Sequence, residues 1–164
     1  MKYLPVILIV LTLATGCQST QNSTYDLENL KVTGEYLFEG PNTLQGTPES
    51  VIKDLTDQLG INESDIQSVY LDQATIRFSP DSLQKKLESA LVQWVSDELE
   101  LVSVATKSPL PDNPIIELEV NKEQDILPYL LDDNSTLVVD TNILGDIDYL
   151  EARLNFTFNV EYSN

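Results

Sequence analysis

The strongest constraint on the fold is the unbroken alternation at residues 150–163, LEARLNFTFNVEYS. Leu150, Ala152, Leu154, Phe156, Phe158, Val160 and Tyr162 fall in one phase. Glu151, Arg153, Asn155, Thr157, Asn159, Glu161 and Ser163 fall in the other. Side chains alternate between the faces of a strand, so this segment reads as a long strand with one buried and one wet face. Such half-wet strands belong to antiparallel sheets rather than to doubly covered parallel ones.

Other segments share the period. Leu30, Val32, Gly34, Tyr36 and Phe38 alternate with Lys31, Thr33, Glu35 and Glu39. Ile116, Leu118 and Val120 alternate with Ile115, Glu117 and Glu119, and residues 136–144 add a further apolar run. In residues 67–78, Val69 and Leu71 are out of phase with Ala74, Ile76 and Phe78. One extra residue near Asp72-Gln73, a β-bulge, reconciles them.

Helical signals are few. Thr47-Pro48-Glu49 reads as a capped helix start, Val51, Ile52, Leu55 and Leu59 share a face, and Gly60 is placed to end it. A short helical turn fits near Asp125–Leu131. Residues 80–105 allow two readings. Leu83, Leu87, Ala90, Leu91, Trp94 and Val95 make a helical stripe, while Ala90, Val92 and Trp94 also alternate ahead of LELVSVAT. A short helix at 80–87 followed by a hairpin is favoured. Together these elements predict a mainly β protein, a single antiparallel β-sandwich of about seven strands with one or two short helices. Trp94 is expected in its core, and Tyr36, Tyr129 and Tyr162 as packing or rim residues.

Composition narrows the chemistry. The formal charge is −18, with 27 acids against 9 bases. Such an excess opposes binding to nucleic acid or lying flat on an anionic membrane. There is no histidine, which removes histidine-based triads, histidine-ligated zinc and the usual base near neutral pH. Paired carboxylates could still serve a hydrolase, although so many acids give chance pairs. No cofactor is indicated.

The chain opens with Lys2, an apolar run over Leu4–Ala14, and then Leu13-Ala14-Thr15-Gly16-Cys17. The run is shorter than the roughly 20 residues that span a bilayer and reads as an export signal. LATGC resembles the lipobox of bacterial lipoproteins, with Leu13 one place earlier than the usual pattern. The resemblance implies cleavage before Cys17, lipidation of its sulfur and acylation of its amine. Cys17 is the only cysteine, so no intramolecular disulfide can form. Removing residues 1–16 takes away Lys2 and leaves 8 − 27 = −19. Gln18 after the cysteine resembles an outer-membrane sorting choice of enterobacterial lipoproteins, and the acidic run of surface-exported lipoproteins of Bacteroidota is absent. The expected place is the cell envelope, on the outer membrane facing the periplasm. The cadence of the body also resembles β-sandwich lipoproteins of Bacteroidota.

The organisation expected is a signal peptide at 1–16, lipidated Cys17 with a polar tether at 17–28, and a separately folding domain at 29–164. The function expected is a lipid-anchored, non-enzymatic binding or scaffolding module with an envelope protein or glycan partner. A calcium-dependent adhesion or glycan-binding module is the alternative, and an envelope hydrolase using paired carboxylates a further one. The nearest approach to a metal motif is DTNILGDIDYLE, residues 140–151. Asp140, Asn142, Gly145 and Glu151 fit the calcium loop of an EF-hand, but Leu144 offers no oxygen where one is needed. A hairpin with a polar turn over Gly145–Asp148 is the favoured reading, with Asp146 and Asp148 as weak metal candidates. Asn-X-Ser/Thr triplets at Asn22, Asn62, Asn134 and Asn155 are read as chance, and Asp81-Ser82-Leu83 fits a short O-glycosylation pattern of Bacteroidota.

Overall fold

A computed structural model describes residues 19–163, and within them the protein is mainly β. The strands are β1 (Thr20–Leu37), β2 (Gly40–Gly46), β3 (Ile66–Ser79), β4 (Ala90–Val95), β5 (Val102–Lys107), β6 (Ile116–Glu117), β7 (Glu119–Val120), β8 (Thr136–Ile143) and β9 (Ile147–Ser163). All pairings are antiparallel, in the order β6-β3-β9-β1-β2-β8-β4-β5-β7.

The count exceeds the expected seven partly because β6 and β7 are two halves of one short segment around Leu118. One half bonds to β3 and the other to β5, the two ends of the sheet. The Leu118 amide donates to the Ala74 carbonyl at 3.0 Å. The sheet is therefore nearly closed into a barrel, with this short segment covering part of each edge, Thr75-Ile76 of β3 and Ala105-Thr106 of β5. Opposite this seam, β1 and β2 meet only at Thr33–Gln45. That thin contact divides the barrel into a β3-β9-β1 half and a β2-β8-β4-β5 half, giving it the character of a sandwich. Gly46 permits the close approach of β2 to β1, since a Cβ there would lie 2.1 Å from the Lys31 carbonyl oxygen.

The core follows the alternation of β9. Leu150, Ala152, Leu154, Phe156, Phe158 and Val160 are all buried, in one cluster with Trp94, Phe78 and Leu137. The bulge expected in β3 is present, as a register shift between Leu71 and Gln73 against β9. A 3₁₀ turn over Asp81–Lys86 precedes the β4–β5 hairpin, so residues 80–105 take the short-helix-and-hairpin form.

Four expectations need correction. First, the polar stretch expected as tether is mostly strand. Thr20–Leu27 pair one by one with Phe156–Ser163. The reason is β9, whose length leaves an edge to be covered. Tyr25 supplies the apolar contact, stacked on Phe158 with ring centroids 6.2 Å apart. Second, the phase of β1 changes twice. Asn29 and Tyr36 have positive φ, 60° and 53°, and each reverses the alternation. Tyr36 (84% exposed) and Phe38 (61%) therefore face water, and Leu37 turns in. Third, helix α1 (Val51–Leu59) starts later than Thr47. Its N-cap is Ser50 at φ 62°, with no side-chain cap bond, while Gly60 closes it as expected, donating to the Thr56 carbonyl. The second helix, α2 (Leu127–Leu130), lies where a helical turn was expected.

The fourth correction concerns residues 140–151. β8 and β9 do not form a hairpin. β8 pairs with β2 and β4, while β9 pairs with β1 and β3. The β1–β2 unit lies between them in the sheet, so Leu144-Gly145-Asp146 straps across its turn. Asp146 Oδ1 accepts from the Glu39 amide there at 3.2 Å.

Candidate functional site

The polar phases of β1, β9 and β3 form the outer face of one half-barrel. Register places Lys31 opposite Arg153, and Arg153 opposite Arg77. The three cations thus form one row across three strands, each side chain just over half exposed. Arg77 and Arg153 are the only arginines in the chain. Like charges placed directly opposite each other destabilise a strand pair, so this row breaks a local rule.

Two carboxylates offset the repulsion. Asp81 accepts from Arg77 Nε at 3.2 Å and Nη2 at 3.0 Å. Glu151 bridges the other two cations, 2.8 Å from Lys31 Nζ and 2.8 Å from Arg153 Nε. The Lys31 hydrogen bond, then that of Arg153, holds the Glu151 carboxyl down at about 2, from an ordinary 4.5. Asp81 in turn raises the pKa of Arg77.

Beside the row lies a recess of about 390 Å³, lined by Arg77, Arg153, Asn29, Asn155, Thr75, Ser79 and Ile115. No carboxylate lines it, although the chain has 27 acids. The recesses beside α1, beside α2 and beside the Asp81–Lys86 turn each include at least one acid, while another on β1 and β9, lined by Asn22, Ser23, Thr24 and Asn159, has neither acid nor base. The bulge in β1 shapes the floor. Its Asn29 amide donates to Asn155 Oδ1 at 2.8 Å, which fixes that amide group and leaves Nδ2 as a donor. Among the described residues, nothing accepts from Asn155 Nδ2 or from either Nη of Arg153. The hollow is therefore rich in donors, two of its side chains being forked cations.

The residues singled out from sequence are dispersed. Cys17 lies outside the described residues. Asp140 accepts from Thr43 Oγ1 at 2.6 Å, Asn142 donates to Glu88, and Glu151 is held between Lys31 and Arg153. Asp146 is occupied by the β1–β2 turn, and its carbonyl accepts from Lys86 Nζ at 3.2 Å. Asp148 is exposed. No cluster of three acids or other metal-ligating groups occurs among the described residues. Trp94 is fully buried, and Tyr129 is buried with its hydroxyl donating to the Glu100 carbonyl. Asn22, Asn62, Asn134 and Ser82 are exposed, and Asn155 belongs to the recess.

The arginine pair went unnoticed in the sequence as a site. The available signal was composition combined with phase: both arginines of a strongly acidic chain fall on strands, and Arg153 falls on the polar phase of β9.

No family model matches the chain, and no curated protein matches it. Solved structures that resemble it include a chain of empty-head turnip yellow mosaic virus, 8% identical, covering 100% of this chain and 92% of that one at a TM-score of 0.33. A chain of desmodium yellow mottle tymovirus is 9% identical, with coverages of 100% and 95% and a TM-score of 0.30. Likeness at this level carries no argument about function.

Proposed function

We propose that the protein is a lipid-anchored, non-enzymatic binding module of the bacterial cell envelope, and that it binds through the outer face of β1, β9 and β3. The observation that carries the reading is the recess free of carboxylates, built around both arginines of a chain with net charge −18. Supporting it, LATGC resembles a lipobox, and β1 begins at Thr20, three residues after Cys17. Lipid on Cys17 would hold the Thr20–Ser163 end of the barrel at the membrane. Asn29 is nine residues further along β1, about 30 Å at some 3.3 Å per residue. That clears the Debye length of about 8 Å at physiological salt, so the face stands beyond the field of the lipid surface.

The test is chemical cross-linking and pull-down from intact envelopes, comparing the wild type with Asn155→Asp. This variant keeps the acceptor for the Asn29 amide and adds a negative charge to the recess. Recovery of one envelope component by the wild type, and its loss in the variant, is the expected result. Equal recovery by both, or none above background, would overturn the reading.

A further inference from the structure

The same recess also indicates what it holds. We infer that the hollow between Arg77 and Arg153 binds an oxyanion carried on a hydroxylated ring, such as a sugar bearing a carboxylate. This inference rests on the outer face of β1, β9 and β3 being the binding surface, and it names the ligand chemistry.

Three observations converge. The first is donor geometry. Each arginine is tethered by a carboxylate outside the recess, Arg77 through Nε and Nη2 to Asp81, and Arg153 through Nε alone to Glu151. A guanidinium held that way is pre-oriented, and its remaining N–H groups match the paired oxygens of a carboxylate, sulfate or phosphate. The second is local charge. Arg77, Arg153 and Lys31 bring three of the nine basic residues of the chain together, against Asp81, Glu151 and Glu117, the last opposite Thr75 across β3 and β6, so cations are concentrated here relative to a chain of net charge −18. The third is the remaining lining. Thr75 and Ser79 offer hydroxyls that both donate and accept, and Asn155 Nδ2 is a free donor, which suits ring hydroxyls. Ile115, 54% exposed at the rim, offers an apolar contact for the C–H face of a ring. The volume of about 390 Å³ falls within the range of small-molecule sites.

Opposed arginines also have a structural explanation, as a salt-bridged surface network. That explanation accounts for Asp81 and Glu151. It does not account for a hollow beside them that is lined by no acid and in which Asn155 Nδ2 and both Nη groups of Arg153 have no acceptor among the described residues.

The test is calorimetric titration of the full chain in detergent with sodium glucuronate, glucose and sodium sulfate. Saturable binding of glucuronate at about 1 mM or tighter is expected, with glucose inert and sulfate weaker. Arg153→Gln and Asn155→Asp should each weaken glucuronate at least about tenfold, the scale of one charged hydrogen bond. Melting curves identify any variant that fails to fold, and Asn155→Asp, which keeps its structural hydrogen bond, serves where Arg153→Gln fails. Heat of equal size with glucose, sulfate as tight as glucuronate, no saturation in the millimolar range, or binding unchanged in both variants would each overturn the inference. No saturation here, alongside an envelope partner still lost in Asn155→Asp, would overturn the oxyanion assignment alone and leave the binding-module reading standing.

Discussion

Phe158→Ala tests how the N-terminal strand is held. Phe158 is fully buried and stacks on Tyr25 at 6.2 Å with an interplanar angle of 11°, while Phe156 packs tilted against it at 5.7 Å. Truncating a buried phenylalanine costs about 3–5 kcal/mol, out of roughly 5–15 kcal/mol for a whole domain. Tyr25 is 4% exposed, and Tyr25→Ala should cost about 2–4 kcal/mol by the same reasoning. The double variant should recover about 1 kcal/mol of the summed cost, the coupling expected of an aromatic pair. For a chain of this size, a loss of 3 kcal/mol lowers the melting temperature by about 6–12 °C. Urea titration followed by Trp94 fluorescence is the assay. Trp94 is the only tryptophan, is fully buried and lies on β4 in the other half of the barrel, so it reports global unfolding. A Tyr25→Ala midpoint within about 0.5 kcal/mol of wild type, the scatter of ordinary surface changes, would refute the pairing of Thr20–Leu27 with β9. Near-normal stability of Phe158→Ala would refute the core itself.

Three other outcomes follow from the structure. The depressed Glu151 carboxyl stabilises the fold above its ordinary pKa of 4.5, and that contribution is lost as pH falls towards about 2. With both cationic partners just over half exposed, screening limits it to about 1 kcal/mol, so urea midpoints of wild type and Glu151→Gln should differ above pH 4.5 and converge near pH 2. Cys17→Ala should leave an uncleaved or mislocalised precursor in fractionated cells, and normal processing with membrane retention would contradict the lipobox reading. Calorimetric titration with calcium should show no binding tighter than about 10 μM, and such binding, abolished by Asp146→Asn with Asp148→Asn, would restore the calcium-dependent alternative.

Local pattern was legible where one rule governed a segment without interruption. The alternation of β9, the phase slip at Asp72-Gln73, the termination of α1 at Gly60 and the burial of Trp94 could all be read from spacing. β1 was misread because a residue at positive φ reverses the phase without changing the apolar pattern, and neither Asn29 nor Tyr36 announces that conformation. Thr20–Leu27 looked like a tether because its order comes from a strand more than a hundred residues away. Adjacency in sequence suggested a β8–β9 hairpin, but pairing is decided by topology, and the β1–β2 unit takes the place between them. The recess was hidden for a related reason. Arg77, Arg153 and Asn29 come together only through cross-strand register and a bulge, and no linear motif encodes either.

The proposed working surface is the outer face of β1, β9 and β3. The most direct test is site-specific photo-cross-linking in intact cells. The photoreactive residue would be placed at Asn159 or Thr24 on that face, and at Thr106 on the opposite half of the barrel. An adduct with the same envelope component is expected from both Asn159 and Thr24, and none from Thr106. An adduct from Thr106 alone would contradict that proposal.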